Sequence, residues 1–270
     1  MVELRDARKI ASSMGLGLQY VLKEAKVFDI WGRLSPLVMS GTVKSKAIIV
    51  CKGGTALNKI YLSGVQRFSE DLDFDAFFKG NVARTSKIAF LQSQLMTPLT
   101  KDYEVQRPRM MRKIIRFTCS FVNEIGRKDS IFVEFNLDTP RVGRIVVERA
   151  KSELWGATVT IPVYSFETLV AKKLKAFYER ETGKDLYDIY RSLHGRTDSD
   201  MRKIVSMLRA VLDAEGISYA DFVSGVGTAL QNDELISRVH ASSNPYIPRT
   251  LRIGWKQAAD YIHKKLMPYL

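Results

Sequence analysis

A glycine pair set between two kinds of periodicity constrains this chain more than any other feature. Ahead of it, residues 46–51 (KAIIVC) form the short apolar run of a buried strand. Behind Gly53-Gly54, residues 55–62 (TALNKIYL) read as a helix that starts at the turn, and residues 72–74 as a second strand. Strand, glycine turn, helix and strand make an α/β beginning. Such a turn aims backbone N–H groups and the positive helix end at one spot, where phosphate binds. Without a Cβ, Gly53 and Gly54 let an anion approach the backbone closely.

Acids follow at once. Residues 70–75 (EDLDFD) hold four carboxylates. On a strand, Asp71 and Asp73 share one face while Leu72 and Phe74 share the other. Two carboxylates side by side repel unless a cation sits between them. Mg²⁺ suits that place because it takes oxygen ligands and leaves positions for phosphate. Glu70 and Asp75 read as rim or structural acids.

The acids are set in a basic protein. The 270 residues carry a net charge of +13. Residues 1–164 hold 26 Lys and Arg against 16 Asp and Glu, a net of +10, and residues 165–270 hold 16 against 13, a net of +3. A field of that sign points to a polyanionic partner, nucleic acid before a membrane surface. Residues 101–116 hold six bases and two acids. Arg141, Arg144, Arg149 and Lys151 form a second basic stretch. Either suits a phosphodiester acceptor. Cys51 and Cys119 sit in apolar runs and read as reduced core thiols. The charged start MVELRDARKI predicts no secretory leader, and no apolar run is long enough to span a bilayer. The expectation is a cytoplasmic protein with no membrane association. His194, His240 and His263 stand at unrelated spacings and read as neither catalytic nor metal-binding.

Periodicity predicts helices over 3–26, 85–105, 165–180, 184–193, 198–215 and 255–269, with Gly15 and Gly17 weakening the first. Residues 112–123 and 130–137 read as a β-hairpin. The chain therefore divides into an α/β front, 1–163, with a small mixed sheet, and an all-helical back, 164–270.

One lysine of the back part is out of place. On a wheel at about 100° per residue, with Phe166 at zero, Leu169, Val170, Leu174 and Phe177 define the apolar stripe. Lys173 falls at about 340°, in its middle, and Arg180 at about 320°. A buried ammonium needs an anion. After Gly183, Asp185 and Asp188 lie one turn apart on a new helix. Asp185 could cap that helix and Asp188 could serve its dipole.

KGGTALNKIY…RFSEDLDFD resembles the signature of the AbiEii/AbiGii toxin family of nucleotidyltransferases, within the DNA polymerase beta-like superfamily. KKLKAFYER…GKDLYDIY is similar to the family's second pair of motifs. The blocks span residues 52–190. The resemblance implies a polymerase beta-like nucleotidyltransferase domain followed by a helical domain that lends a lysine and an aspartate to the active site. It gives Gly53, Gly54 and Thr55 to the nucleotide triphosphate and Asp71 and Asp73 to Mg²⁺ (or Mn²⁺). Arg67 and Ser69 are then expected to brace the turn or touch phosphate. Lys173 and Arg180 would reach triphosphate, with Asp185 or Asp188 holding the lysine. The family commonly has an acid where this chain has Lys172. A later strand often supplies a third acid as general base, and among Glu134, Asn136 and Asp138 on one face of SIFVEFNLDTP, mid-strand Glu134 fits. Also implied are NMP transfer from an NTP to an RNA, with tRNA 3′ ends first, and a small antitoxin. The expected working form is a monomer. Transfer to a protein or small molecule, and a non-catalytic nucleic-acid-binding module, are the alternatives.

Overall fold

The computed structural model describes residues 3–270, except the side chains of His240 and Ala241. Met1 and Val2 of the charged N-terminal stretch, and the side chain of His240 weighed above, lie outside the described residues.

The strands are β1 (Ala47–Lys52), β2 (Leu72–Phe78), β3 (Glu104–Val105), β4 (Arg109–Met110), β5 (Ile114–Val122), β6 (Lys128–Asn136), β7 (Ile145–Lys151) and β8 (Thr158–Tyr164). They form one mixed sheet in the order β3-β5-β6-β2-β1-β8-β7, with β4 paired to β5. The β2–β6 and β1–β8 pairs are parallel and the others antiparallel. Alternation works as the sequence requires: Leu72 and Phe74 are fully buried, and Phe74 stacks on Phe135 of β6.

The front helices are α1 (Leu4–Met14), α2 (Leu18–Met39), α3 (Gly41–Lys46), α4 (Gly53–Ala56) and α5 (Arg84–Leu91). The expected helix over 3–26 is two helices. Gly15 takes a left-handed φ of 60° and its N–H closes α1 on Ala11 and Ser12. The second helix runs on to Met39 past Pro36 and packs on the sheet through Ile30, Trp31 and Leu34. The predicted helix over 85–105 gives way to strand β3 at Glu104.

The back helices are α6 (Phe166–Arg180), α7 (Gly183–Leu193), α8 (Asp198–Ala214), α9 (Tyr219–Gln231), α10 (Asp233–Ser243) and α11 (Trp255–Leu266). One buried apolar cluster runs from Val27 through the sheet to Leu266, so sheet and back helices share a core. Among the described residues no helix is long and apolar enough to cross a membrane.

Candidate active site

Strand register lines up four charged side chains across the sheet. Lys52 on β1 stands opposite Asp73 on β2. Asp73 is in register with Glu134 on β6, and Glu134 with Arg116 on β5. Register partners project from the same face. The row thus reads base, acid, acid, base, and Asp71 sits on the same face two residues before Asp73. Arg116 donates from Nε to Glu134 Oε1 at 2.6 Å while its guanidinium lies 4.5 Å from the Phe132 ring.

The central acids are under strain. Burial pushes the Asp71 carboxyl up to about 7, and the charges of Asp73, Glu70 and Glu134 push the same way. Burial, followed by the charge of Glu134, also raises Asp73, against the pull of Lys52, Lys173 and Arg180. Negative charge is therefore in excess here, and the donors are all oxygen. Among the described residues no three His, Cys, Asp or Glu side chains already converge at metal-ligand spacing. Two aspartates with the other positions left to phosphate and water is the set that Mg²⁺ accepts.

The glycine turn abuts this row. Gly53 has φ 78°, and a Cβ there would overlap Asp73 Oδ2. A Cβ on Gly54 would come 2.6 Å from Arg67 Nη2. Both glycines are needed for close approach. Thr55 departs from expectation. Its hydroxyl is fully buried, 2.8 Å from Ser69 Oγ and 2.5 Å from the Asp71 carbonyl. It fastens the turn to the start of β2.

Lys173 is buried, as its place on the wheel requires, and its anions are protein carboxylates. Nζ lies 2.7 Å from Asp185 and 3.0 Å from Asp188. The two aspartates divide the work. Arg67, only 3% exposed, grips Asp188 with both Nε (2.8 Å) and Nη2 (2.7 Å). Asp185 accepts from Arg180 Nε at 2.6 Å and from the Thr182 hydroxyl at 2.7 Å. Burial alone would raise the Asp185 carboxyl; Lys173 and Arg180 overcome it and hold it well below the usual range. The cap of α7 is Thr182, whose hydroxyl accepts from the Asp185 N–H, so Asp185 is not the cap. Arg67 accordingly braces the site, whereas Arg180, though bonded to Asp185 through Nε and Nη2, has 57% of its side chain exposed.

Two contributors, Asn58 and Lys184, were not singled out from the sequence, and Asp75, read there as a rim or structural acid, is structural. Asn58 donates to the Gly54 carbonyl and to Asp188, and accepts from the Arg67 N–H. Its i+4 spacing from Gly54 was a readable signal. Asp75, fully buried, binds Lys52, Lys172 and the Tyr164 hydroxyl. Lys172, where the family commonly has an acid, thus takes a carboxylate from β2. Lys184 sits 3.5 Å above the Tyr246 ring, beside Glu70.

Two clefts meet over the row, and Asp73, Glu134, Lys173 and Arg180 line both. The first, about 400 Å³, continues past Gly53 to Lys52, Lys113 and Lys172. The second holds Gly54, Ser69, Asp71, Lys184 and Tyr246.

A glycine turn set against paired strand carboxylates, with a buried lysine from a following helix nearby, is the arrangement that the resemblance to nucleotidyltransferases implies. The model of the nucleotidyl transferase AbiEii toxin family, type IV toxin–antitoxin system, matches residues 40–268, and the chain belongs to this family. Membership implies a cognate antitoxin. MenT4, a nucleotidyltransferase toxin from Mycobacterium tuberculosis H37Rv, superposes with TM-score 0.66 at 19% identity, over 98% of this chain and 90% of that one. JHP933 from Helicobacter pylori superposes with TM-score 0.55 at 18% identity, over 94% and 95%. At these identities the likeness is one of fold. A search of curated proteins finds no match.

Proposed function

We propose that this nucleotidyltransferase uses Mg²⁺ to move an NMP from an NTP onto an RNA hydroxyl, with the tRNA 3′ end as first candidate, acting as a monomer. The observation that carries the reading is the Lys52–Asp73–Glu134–Arg116 row beside the Gly53-Gly54 turn, with a cleft on either side. The basic charge of residues 1–164 supports a nucleic-acid acceptor.

Asp71 and Asp73 would hold the metal, which supplies charge neutralisation at the transferring phosphate. The turn N–H groups, Arg180 and Lys184 would take the triphosphate. Lys173 is fixed by Asp185 and Asp188 at the junction of the clefts. The acceptor oxygen attacks the α-phosphorus, the bond from that phosphorus to the β-bridging oxygen breaks, and pyrophosphate leaves. Glu134, held through one oxygen by Arg116, has the other available for the hydroxyl proton. Most of the rate enhancement comes from positioning and charge.

The test is transfer of label from each α-³²P-NTP in turn, with Mg²⁺, to total tRNA, to total protein or to neither. Label in tRNA, abolished by Asp73→Ala and Lys173→Ala, is the expected result. Label in protein would move the acceptor to the alternative class. No label, from folded protein that still retains tRNA on a filter, would refute enzymatic transfer.

A further inference from the structure

Resting on that reading, the acceptor has a specific place to lie. Residues 105–122 contain no acid. Within them the β4–β5 hairpin exposes Arg107, Arg109, Arg112 and Lys113. Among the described residues none of these four makes an ion pair, a hydrogen bond through its side chain, or a ring contact. Most cations near the row, by contrast, are spoken for: Lys52 and Lys172 by Asp75, Arg116 by Glu134, Lys173 by two aspartates. Four unpaired cations in seven residues repel one another, and a flexible hairpin would splay to separate them.

This hairpin is fastened instead. Arg84, at the start of α5, donates from Nη1 to the Arg112 carbonyl and from Nη2 to the Met111 carbonyl, both at 2.8 Å. Its Nη1 also lies 3.2 Å from Asp138. One guanidinium therefore pins the hairpin's return to the end of β6. That places Lys113 in the wall of the first cleft, with Asn136, Asp138 and Thr139. Arg107, Arg109 and Arg112 precede Lys113 on this exposed stretch, and the cleft that Lys113 lines leads past Asp138 and Glu134 to Lys52 and Lys172. The far half of the other basic stretch leads elsewhere: Arg149 and Lys151 lie on β7, which the sheet order separates from β6 by β2, β1 and β8.

We infer that the β4–β5 hairpin is the docking track for the acceptor, gripping the phosphates of a single RNA strand behind its reactive 3′ hydroxyl. Lys113 leads from the hairpin into a cleft of about 400 Å³, and single-stranded ends are the common target of specific RNA recognition. Met110, 61% exposed at the tip, offers an apolar surface to an unstacked base.

The test compares wild type with Arg109→Ala/Arg112→Ala/Lys113→Ala and with the control Arg149→Ala/Lys151→Ala. Affinity is measured for a short fluorescein-labelled single-stranded RNA across a salt series, and separately for a fluorescent NTP analogue. Losing three phosphate contacts should weaken RNA binding about tenfold or more and lower the salt slope by about 2. NTP affinity and the melting temperature should not change, and neither should any property of the control. In turnover the apparent KM for RNA should rise while kcat holds. Unchanged RNA affinity in the triple variant would overturn the inference and leave transfer to RNA standing. A parallel loss of NTP affinity would give the track to the nucleotide and overturn it too. If the triple variant lost only its grip on the cognate antitoxin, the hairpin would be a protein interface. A wild type that labels protein and binds no RNA would end both this inference and the proposed function.

Discussion

Asp188 offers the sharpest test of how the site is built. The change to make is Asp188→Ala. In the native protein this fully buried carboxylate receives two bonds from Arg67, one from Asn58 and the charge of Lys173. Lys173 retains Asp185 when Asp188 is lost. Arg67 retains one side-chain hydrogen bond, from Nη1 to the Phe68 carbonyl, and the more distant charge of Asp185, with its own charge buried at 3% exposure. Removing one partner of a buried pair costs about 3–5 kcal/mol, because the other is left uncompensated. Unfolding entropy near 2.1 cal/mol/K per residue gives about 0.57 kcal/mol/K for 270 residues. The melting temperature should therefore fall by about 5–9 °C. Calorimetry on both proteins measures it directly. Asp185→Ala should cost less, since Arg180 is more than half exposed and can rehydrate. Removing both charges, as in Arg67→Met/Asp188→Leu, should recover much of the loss. A fall under about 2 °C for Asp188→Ala, or no recovery in the double variant, would refute the argument that a buried Arg67 depends on Asp188.

Asp73→Asn should abolish transfer and yet raise the melting temperature by a few degrees in EDTA, because it removes a half-buried charge that repels Glu134. Added Mg²⁺ should stabilise wild type and not the variant; scanning fluorimetry with and without the metal reads both effects. Gly53→Ala should fold less stably by about 1 kcal/mol or more and lose transfer activity, because φ 78° is strained for alanine and its Cβ overlaps the Asp73 carboxylate. Denaturant unfolding and the labelling assay check the two halves of that statement.

Much of the site was legible because short-range geometry fixes it. Alternation alone puts Asp71 and Asp73 on the face opposite Leu72 and Phe74, and helical spacing alone turns Lys173 inward. What Lys173 meets depends on how α7 docks against α6, and no local pattern encodes that. Thr55 was misassigned because the turn of α4 after Gly54 carries its hydroxyl under Ser69, a rotation that appears only in three dimensions. Strand β8 was hidden by Pro162, since proline argues against a central strand. Its pairing to β1 involves one register position, Cys51 with Val163, so a missing N–H next to it is tolerated. Helix α9 escaped notice for want of a strong apolar stripe around Gly225 and Gly227.

Asn58, Arg67 and Asp188 tie residues of the glycine turn and its loop to a helix more than a hundred positions away, with Arg67 in the wall of the second cleft. Mechanically that tie acts as a rivet. The front and back of the molecule cannot swing apart about the active site without exposing two buried charges. Opening the molecule along that line would part a buried ion pair, a cost of about 3–5 kcal/mol that any hinge motion there must meet.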